Sequence, residues 1–264
     1  MRLTIVSAVG DGLAPLLSME LSIVIPAYKE ASKIRRDVQA AADFLIQAGI
    51  QGEIIVVDDG SDDDTAAQAQ AAPIPSGVQR QVIRYQPNRG KGYAVRTGVL
   101  ASSGEIVMFA DSGLCVSFEY ILWGMDLIRS GHCEIAHGSR KLHHSDIKLS
   151  QNFYRRMGSK FFHALMRLFG VPAEISDSQC GFKIYRGDVA RELYQLCISE
   201  GFMFDVEILL RAIRRGYRVI EFPIRWHNDR DSRLHPIRMA ARIFYELMII
   251  RQALASDSAP RLKR

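Results

Sequence analysis

The sequence predicts an α/β protein built on a mostly parallel sheet with helices on both faces. Short apolar, β-branched runs alternate four times with helix-like segments over about 90 residues, the rhythm of βαβ units. The runs are continuously apolar, as strands covered on both faces must be, and do not alternate with polar residues. Polar residues follow the strands at their C-terminal ends (Tyr28 and Glu30, Asp58 and Asp59, Asp111), the edge where open parallel sheets bind ligands.

Residues 21–26 (LSIVIP) form the first expected strand, ended by Pro26. A helix follows over 29–48, with Ile34, Val38, Ala41, Ala42, Leu45 and Ile46 at helical spacing. Residues 53–57 (EIIVV) are the second strand and run into Asp58-Asp59-Gly60-Ser61. A polar, Ala-rich helix over 62–72 is stopped by Pro73 and Pro75, and residues 81–85 make a third strand. Asn88-Arg89-Gly90-Lys91-Gly92 is a turn leading into a helix that ends at Ala101, and 105–110 (EIVMFA) is a fourth strand ending at Asp111. The first strand–helix turn lacks GxGxxG, which disfavours a dinucleotide-type Rossmann domain. The second half is less regular. Helices are expected over 152–169, 204–215 and 236–254, with a strand over 217–224. No internal repeat stands out.

Of 264 residues, 48% are apolar and 24% charged, which excludes collagen-like, disordered and disulfide-rich chains. The net charge of +5 hides an asymmetry. Up to Ser139 there are 11 Lys and Arg against 16 Asp and Glu; from Arg140 on there are 23 against 13. A basic second half suits phosphates, a membrane or nucleic acid, or else solvated helix faces. Nucleic acid is disfavoured, because no recognisable binding module or aromatic-interleaved platform accompanies the charge. Cys115, Cys133, Cys180 and Cys197 are scattered without metal-type spacing and read as buried thiols. The apolar stretch over 3–9 is short for a bilayer span and poor as a signal segment, and no window reaches transmembrane length. A cytoplasmic protein with at most peripheral membrane contact is expected.

Strand-end carboxylates imply a polar ligand that hydrogen-bonds or carries a metal. Ser61 to Thr65 can be explained as a turn and helix cap, whereas Asp58 and Asp59 read as binding residues. Asp111 closes a buried strand before Ser112-Gly113, where a carboxylate could hold Mg²⁺ or Mn²⁺ on a diphosphate.

The segments SIVIPAYKE, EIIVVDDGSDDDT, NRGKGYAVRTG, FAD, GSR, DSQCGFKIYRG and FDVEILLRAIRRGYRVIEFPIRW occur in this order across residues 21–251. Together they resemble the family-2 inverting glycosyltransferases, most of all the dolichyl- or polyprenyl-phosphate hexose synthases of the glucosyltransferase branch. The resemblance implies a GT-A fold: an extension over 1–20, a nucleotide-sugar half over 21–113, an acceptor half over 114–228, and a C-terminal amphipathic helix and tail over 229–264. By motif, Pro26, Tyr28 and Glu30 would border the base and ribose, Asp58 and Asp59 the base, and Asn88 to Gly92, including Lys91, the nucleotide pocket. Arg140, Asp177, Gln179 and Lys183 would line the sugar and acceptor phosphate. Asp111 matches the first acid of the family's metal-binding Asp-x-Asp, but Gly113 stands where the second acid belongs. Glycine offers no side-chain ligand, so metal dependence is open.

The leading expectation is transfer of a hexose, favouring glucose from UDP-glucose, to a polyprenyl or dolichyl phosphate. A phosphate nucleophile is already ionised near neutral pH and needs no general base. It needs cations that hold two phosphates close, for which Arg140, Arg155, Arg156, Lys160, Lys183 and Arg233 are candidates. Asp111, Arg140, Lys183 and Asp205 are the candidate catalytic residues. A hydroxyl acceptor would instead need a base, for which Asp205 or Glu207 is available, although both also suit a helix N-terminus. A non-catalytic nucleotide-sugar or lipid-phosphate binder is the third reading. The helices over 152–169 and 236–254 combine apolar faces with Arg and Lys, as interfacial helices do.

Overall fold

The computed structural model describes residues 4–6, 19–142, 165–226 and 236–257. In chain order the elements are β1 (Thr4–Val6), β2 (Leu21–Ala27), α1 (Ile34–Gln47), β3 (Gly52–Asp58), α2 (Thr65–Gln70), β4 (Gln79–Arg84), α3 (Lys91–Ala101) and β5 (Ile106–Ala110). They continue with α4 (Tyr120–Arg129), β6 (Ile135–Ser139), β7 (Phe182–Arg186), α5 (Gly187–Leu196), α6 (Phe204–Arg214), β8 (Val219–Pro223) and α7 (Pro236–Ser256).

One eight-stranded sheet runs β1-β4-β3-β2-β5-β7-β6-β8. Strands β2 to β5 are mutually parallel, β8 is parallel to β6, and β1 and β7 run antiparallel to their neighbours. Every residue of β2 and β3 is buried, because helices cover both faces. Ile23, Ile54 and Met108 point to one face and pack with Ile34, Val38 and Leu45 of α1 and with Ile121 and Met125 of α4. Val24, Ile55 and Val107 point to the other and meet Val95, Leu193 and Ile208 from α3, α5 and α6. A third cluster joins Leu209 of α6 to Leu247, Ile250 and Leu254 of α7.

The strands expected over 21–110 and 217–224 all form, with ends moved by at most two residues. The expected helices at 29–48, 62–72 and 204–215 are shorter, and α7 extends to Ser256. Sequence periodicity missed β1, α4, β6, β7 and α5. Strand β6 carries His137 and Gly138, and β7 carries Lys183 as its second residue and Arg186 as its last, so neither reads as an apolar run. The helix expected over 152–169 falls mostly outside the described residues, within which 165–168 are helical. Arg155, Arg156, Lys160 and Arg233 also lie outside them.

Candidate functional site

The parallel strands deliver Ala27, Asp58 and Ala110 to one sheet edge, followed there by Tyr28, Asp59 and Asp111. Antiparallel β7 brings its beginning to the same edge: Phe182 pairs with Ala110, and the Asp111 amide donates to the Gly181 carbonyl at 3.1 Å. Strand β6 ends there too, followed by Arg140. Residues 70 or more positions apart therefore meet because of strand direction.

At the end of β3, Asp59 is buried, and its carboxylate accepts four hydrogen bonds. Oδ1 accepts from the Tyr85 hydroxyl and the Arg89 amide, and Oδ2 from Asn88 Nδ2 and the Gly90 amide, each at 2.8 Å. It therefore holds the Asn88–Gly92 turn in place. Gly92 lets the start of α3 lie against the 199–201 segment, since a Cβ there would stand 2.6 Å from the Ser199 carbonyl oxygen. Arg89 pairs with Glu200 and lies over the Tyr93 ring. Asp58 is fully buried; Oδ1 accepts from the Ser61 amide at 3.0 Å, while Oδ2 lies 3.3 Å from Arg84 Nε without a hydrogen bond. Pro26 is buried in β2, Tyr28 is exposed, and the Glu30 amide donates to Thr65 Oγ1 at 2.8 Å. The 61–65 segment fastens β2 to β3: Ser61 Oγ accepts from the Lys29 amide at 2.9 Å, and Asp63 accepts from the Thr65 amide at 3.1 Å.

On the other side, acids meet cations. Lys91 Nζ lies 2.6 Å from Asp111 Oδ1. Desolvation lowers the Lys91 pKa, but the charges of Asp111 and then Asp205 outweigh it and hold the ammonium above its usual value. Lys183 is fully buried; its ammonium donates to Asp205 Oδ1 at 2.6 Å and to the Cys180 carbonyl at 2.8 Å. Burial pushes Asp205 up despite Lys183 and Lys91, and pushes the Cys180 thiol up to about 12. Arg140 makes a bidentate pair with Asp177, Nε to Oδ2 at 2.7 Å and Nη2 to Oδ1 at 2.8 Å, and stacks over Trp226 at 4.9 Å. Burial disfavours both charges, yet the pairing wins, raising Arg140 and lowering Asp177. Glu221 braces this pair by accepting from the Asp177 amide at 2.7 Å. A small cleft lined by Asp111, Leu114, Phe118, Gly181, Phe182 and Trp226 opens beside them.

The two candidate bases are both engaged. Asp205 pairs with Lys183. Glu207 is fully buried and accepts from the Ile198 and Ser199 amides at 3.0 and 2.8 Å and from Arg211 Nε at 2.8 Å. Among the described residues, Gln179 reaches the Met203 sulfur at 3.9 Å.

The donor set for Mg²⁺ or Mn²⁺ is poor. Asp111 is already paired with Lys91, Gly113 has no side chain, and no group of three His, Cys, Asp or Glu could hold an ion among the described residues. These residues do not fit a divalent ion. Sequence reasoning missed Gly181 as a support of Asp111, where a Cβ would come 2.0 Å from Oδ2. It also missed Asp37, which accepts from the Gly113 amide at 2.6 Å although its position in α1 resembles an ordinary helix face. The adjacency of Gly181 and Asp111 had a signal only in the DSQCG segment; Asp37 had none.

The family model described as "Glycosyl transferase family 2" matches residues 22–194. The Saccharomyces cerevisiae dolichyl-phosphate beta-glucosyltransferase is 32% identical over 249 residues, covering 88% of this chain and 74% of that protein. Its Drosophila melanogaster namesake is 34% identical over 230 residues, covering 83% and 70%. Among solved structures, glucosyl-3-phosphoglycerate synthase from Mycobacterium tuberculosis in complex with UDP superposes with a TM-score of 0.65 at 18% identity, covering 89% of this chain and 80% of that one. The same enzyme with Mn²⁺ and UDP-glucose gives 0.62 at 18%, covering 88% and 79%. The fold is the GT-A fold.

Proposed function

Because the chain belongs to glycosyl transferase family 2 and is a glycosyltransferase, we propose that it moves glucose from UDP-glucose to a polyprenyl or dolichyl phosphate, with inversion at the anomeric carbon. The observation that carries this reading is the Arg140–Asp177 pair beside Asp111, at an edge where both candidate bases are consumed. An ionised phosphate oxygen forms the new bond to C1 while the bond from C1 to the diphosphate oxygen breaks. The electron pair leaves with UDP, and no acceptor proton has to be removed. A hydroxyl acceptor would require Asp205 or Glu207 to surrender its ion pair first.

In this reading Asp58, enclosed with its Oδ2 3.3 Å from Arg84 Nε, backs the base pocket, and Asp59 keeps the 88–92 turn in position around the nucleotide. Pro26, Tyr28 and Glu30 border the same pocket. Arg140 binds the acceptor phosphate with its remaining donors, and Asp177 fixes the plane of the guanidinium. Lys183 acts by holding Asp205, since its ammonium is enclosed.

Peripheral contact with a membrane belongs to the same proposal. Helix α7 buries Leu247, Ile250 and Leu254 but leaves Phe244, Tyr245 and Met248 exposed, with the Phe169 ring 6.5 Å from that of Phe244 and the adjoining Leu168 exposed as well. No helix of the described residues is long and apolar enough to cross a membrane. Four free, buried cysteines suit the reducing, cytoplasmic side.

The test offers UDP- and GDP-sugars with polyprenyl phosphate and identifies the product. Glucosyl phosphoryl polyprenol from UDP-glucose is expected. Turnover on a lipid or sugar hydroxyl, with Arg140→Ala unimpaired, would overturn the proposal.

A further inference from the structure

The departing diphosphate needs positive charge beside it, and the site holds a cation of its own. Resting on the reading of this edge as a nucleotide-sugar site, we propose that Lys91 takes the place of a divalent metal, so that the chain binds its nucleoside diphosphate donor and transfers from it without Mg²⁺ or Mn²⁺.

The charge at the site supports this. One acid, Asp111, faces one ammonium at 2.6 Å, and the pair sums to zero. A divalent ion would have to displace an ammonium from the one carboxylate offered, with no second anionic oxygen two residues on. The neighbouring Lys183–Asp205 pair is also neutral, so it adds no net negative charge to attract one.

The turn after Asp111 is constructed around glycine. Gly113 has φ +102°, a conformation that L side chains rarely adopt, and its amide donates to the buried Asp37 carboxylate at 2.6 Å. The Asp37 carboxylate is thus committed to shaping the turn. On its other side, Asp111 Oδ2 lies so close to the Gly181 backbone that a Cβ there would stand 2.0 Å away. Oδ1 faces Lys91, Oδ2 faces Gly181, and the carboxylate is oriented by both.

Lys91 is placed to serve a phosphate. It is the first residue of α3, so its ammonium and the positive end of the helix act on the same space. Its stem is held near the Phe109 and Phe204 rings, with Nζ 5.8 and 6.0 Å from their centroids, and the side chain keeps 21% of its surface exposed. An ammonium has three N–H donors, and although Nζ stands 2.6 Å from the buried Asp111 Oδ1, none of the three is aligned in a hydrogen bond to it. Charge-assisted hydrogen bonds from them can meet the β-phosphate oxygen as the electron pair arrives there.

The experiment titrates UDP into the full-length protein by calorimetry, in EDTA and then in Mg²⁺ or Mn²⁺, and follows Mn²⁺ by electron paramagnetic resonance with UDP alone and with UDP plus protein. We expect UDP affinity to differ by less than about tenfold between EDTA and metal, while Lys91→Met loses about tenfold or more in EDTA. Protein should leave the Mn²⁺ signal as UDP alone sets it. A wild-type affinity that falls tenfold or more in EDTA, stoichiometric capture of Mn²⁺ by the protein, or a Lys91→Met protein that binds UDP as the wild type does would each overturn the inference. The wild-type arm stands even if the variant misfolds. Glucose transfer that requires a metal would sink this inference alone. Failure to bind any nucleotide under every condition would sink the proposed function and this inference with it.

Discussion

Asp59 and Asp205 stand at the same sheet edge and are both buried, yet they are satisfied in opposite ways. Asp59 accepts four hydrogen bonds from neutral groups, three of them in the Asn88–Gly90 turn. Asp205 is held by a lysine ammonium enclosed with it. The same contrast separates the two halves of the site. Around the Asn88–Gly92 turn, a carboxylate holds a loop in shape; around β5, β6, β7 and α6, carboxylates position cations. Under the proposed function this difference has a reason: a loop that fits a nucleotide needs fixed backbone amides, whereas a region that gathers phosphates needs fixed positive charge whose own burial is compensated.

The contrast breaks most severely at the ionic pair. Lys183→Ala should cost about 3–5 kcal/mol in denaturant unfolding, because it strands a buried carboxylate. The double variant Lys183→Met with Asp205→Leu should recover most of that loss. If the double variant is as unstable as the single one, the pair matters through its shape and not through its charge.

Asp59→Ala should cost less, about 2–3 kcal/mol, since the donors it abandons are neutral and some can reach water. Its larger signature is functional: UDP affinity should fall, because the turn carrying Lys91 loses its anchor. Unchanged UDP binding would show that the turn holds itself.

The smallest effect sharpens the comparison through pH. Arg140 lowers the Asp177 carboxyl below its ordinary 3.8. The folded state therefore binds that proton less readily than the unfolded one. The stability contributed is complete above the unfolded value and is lost as pH falls through the folded one. Thermal melts of the wild type should lose stability on acidification through this window, and Asp177→Asn should show a shallower slope there. Equal slopes would deny the pair its role.

The apolar strands β2, β3 and β5 were legible from the sequence, as were the strand-end acids Asp58, Asp59 and Asp111, because a strand buried on both faces leaves a continuous hydrophobic run that must end where polar residues begin. Strands β6 and β7 were not legible. His137 and Lys183 interrupt their pattern; the buried Lys183 ammonium is compensated by Asp205 of α6, and burial holds the His137 imidazole well below its usual pKa. Asp177 and Lys183 entered the candidate site through the DSQCGFK motif and Arg140 and Asp205 through GSR and FDVE, but which of them pair was not legible.

Local sequence therefore determined the strand–helix alternation, the acidic edge, and the glycine that stands in place of a second acid after Asp111. The tertiary structure alone decided which charge each acid meets. Lys91 reaches Asp111 because α3 starts at the edge where parallel β5 ends, and Arg140 reaches Asp177 and Lys183 reaches Asp205 because antiparallel β7 starts at that same edge. Strand direction is a property of the assembled sheet, and no spacing along the chain encodes it.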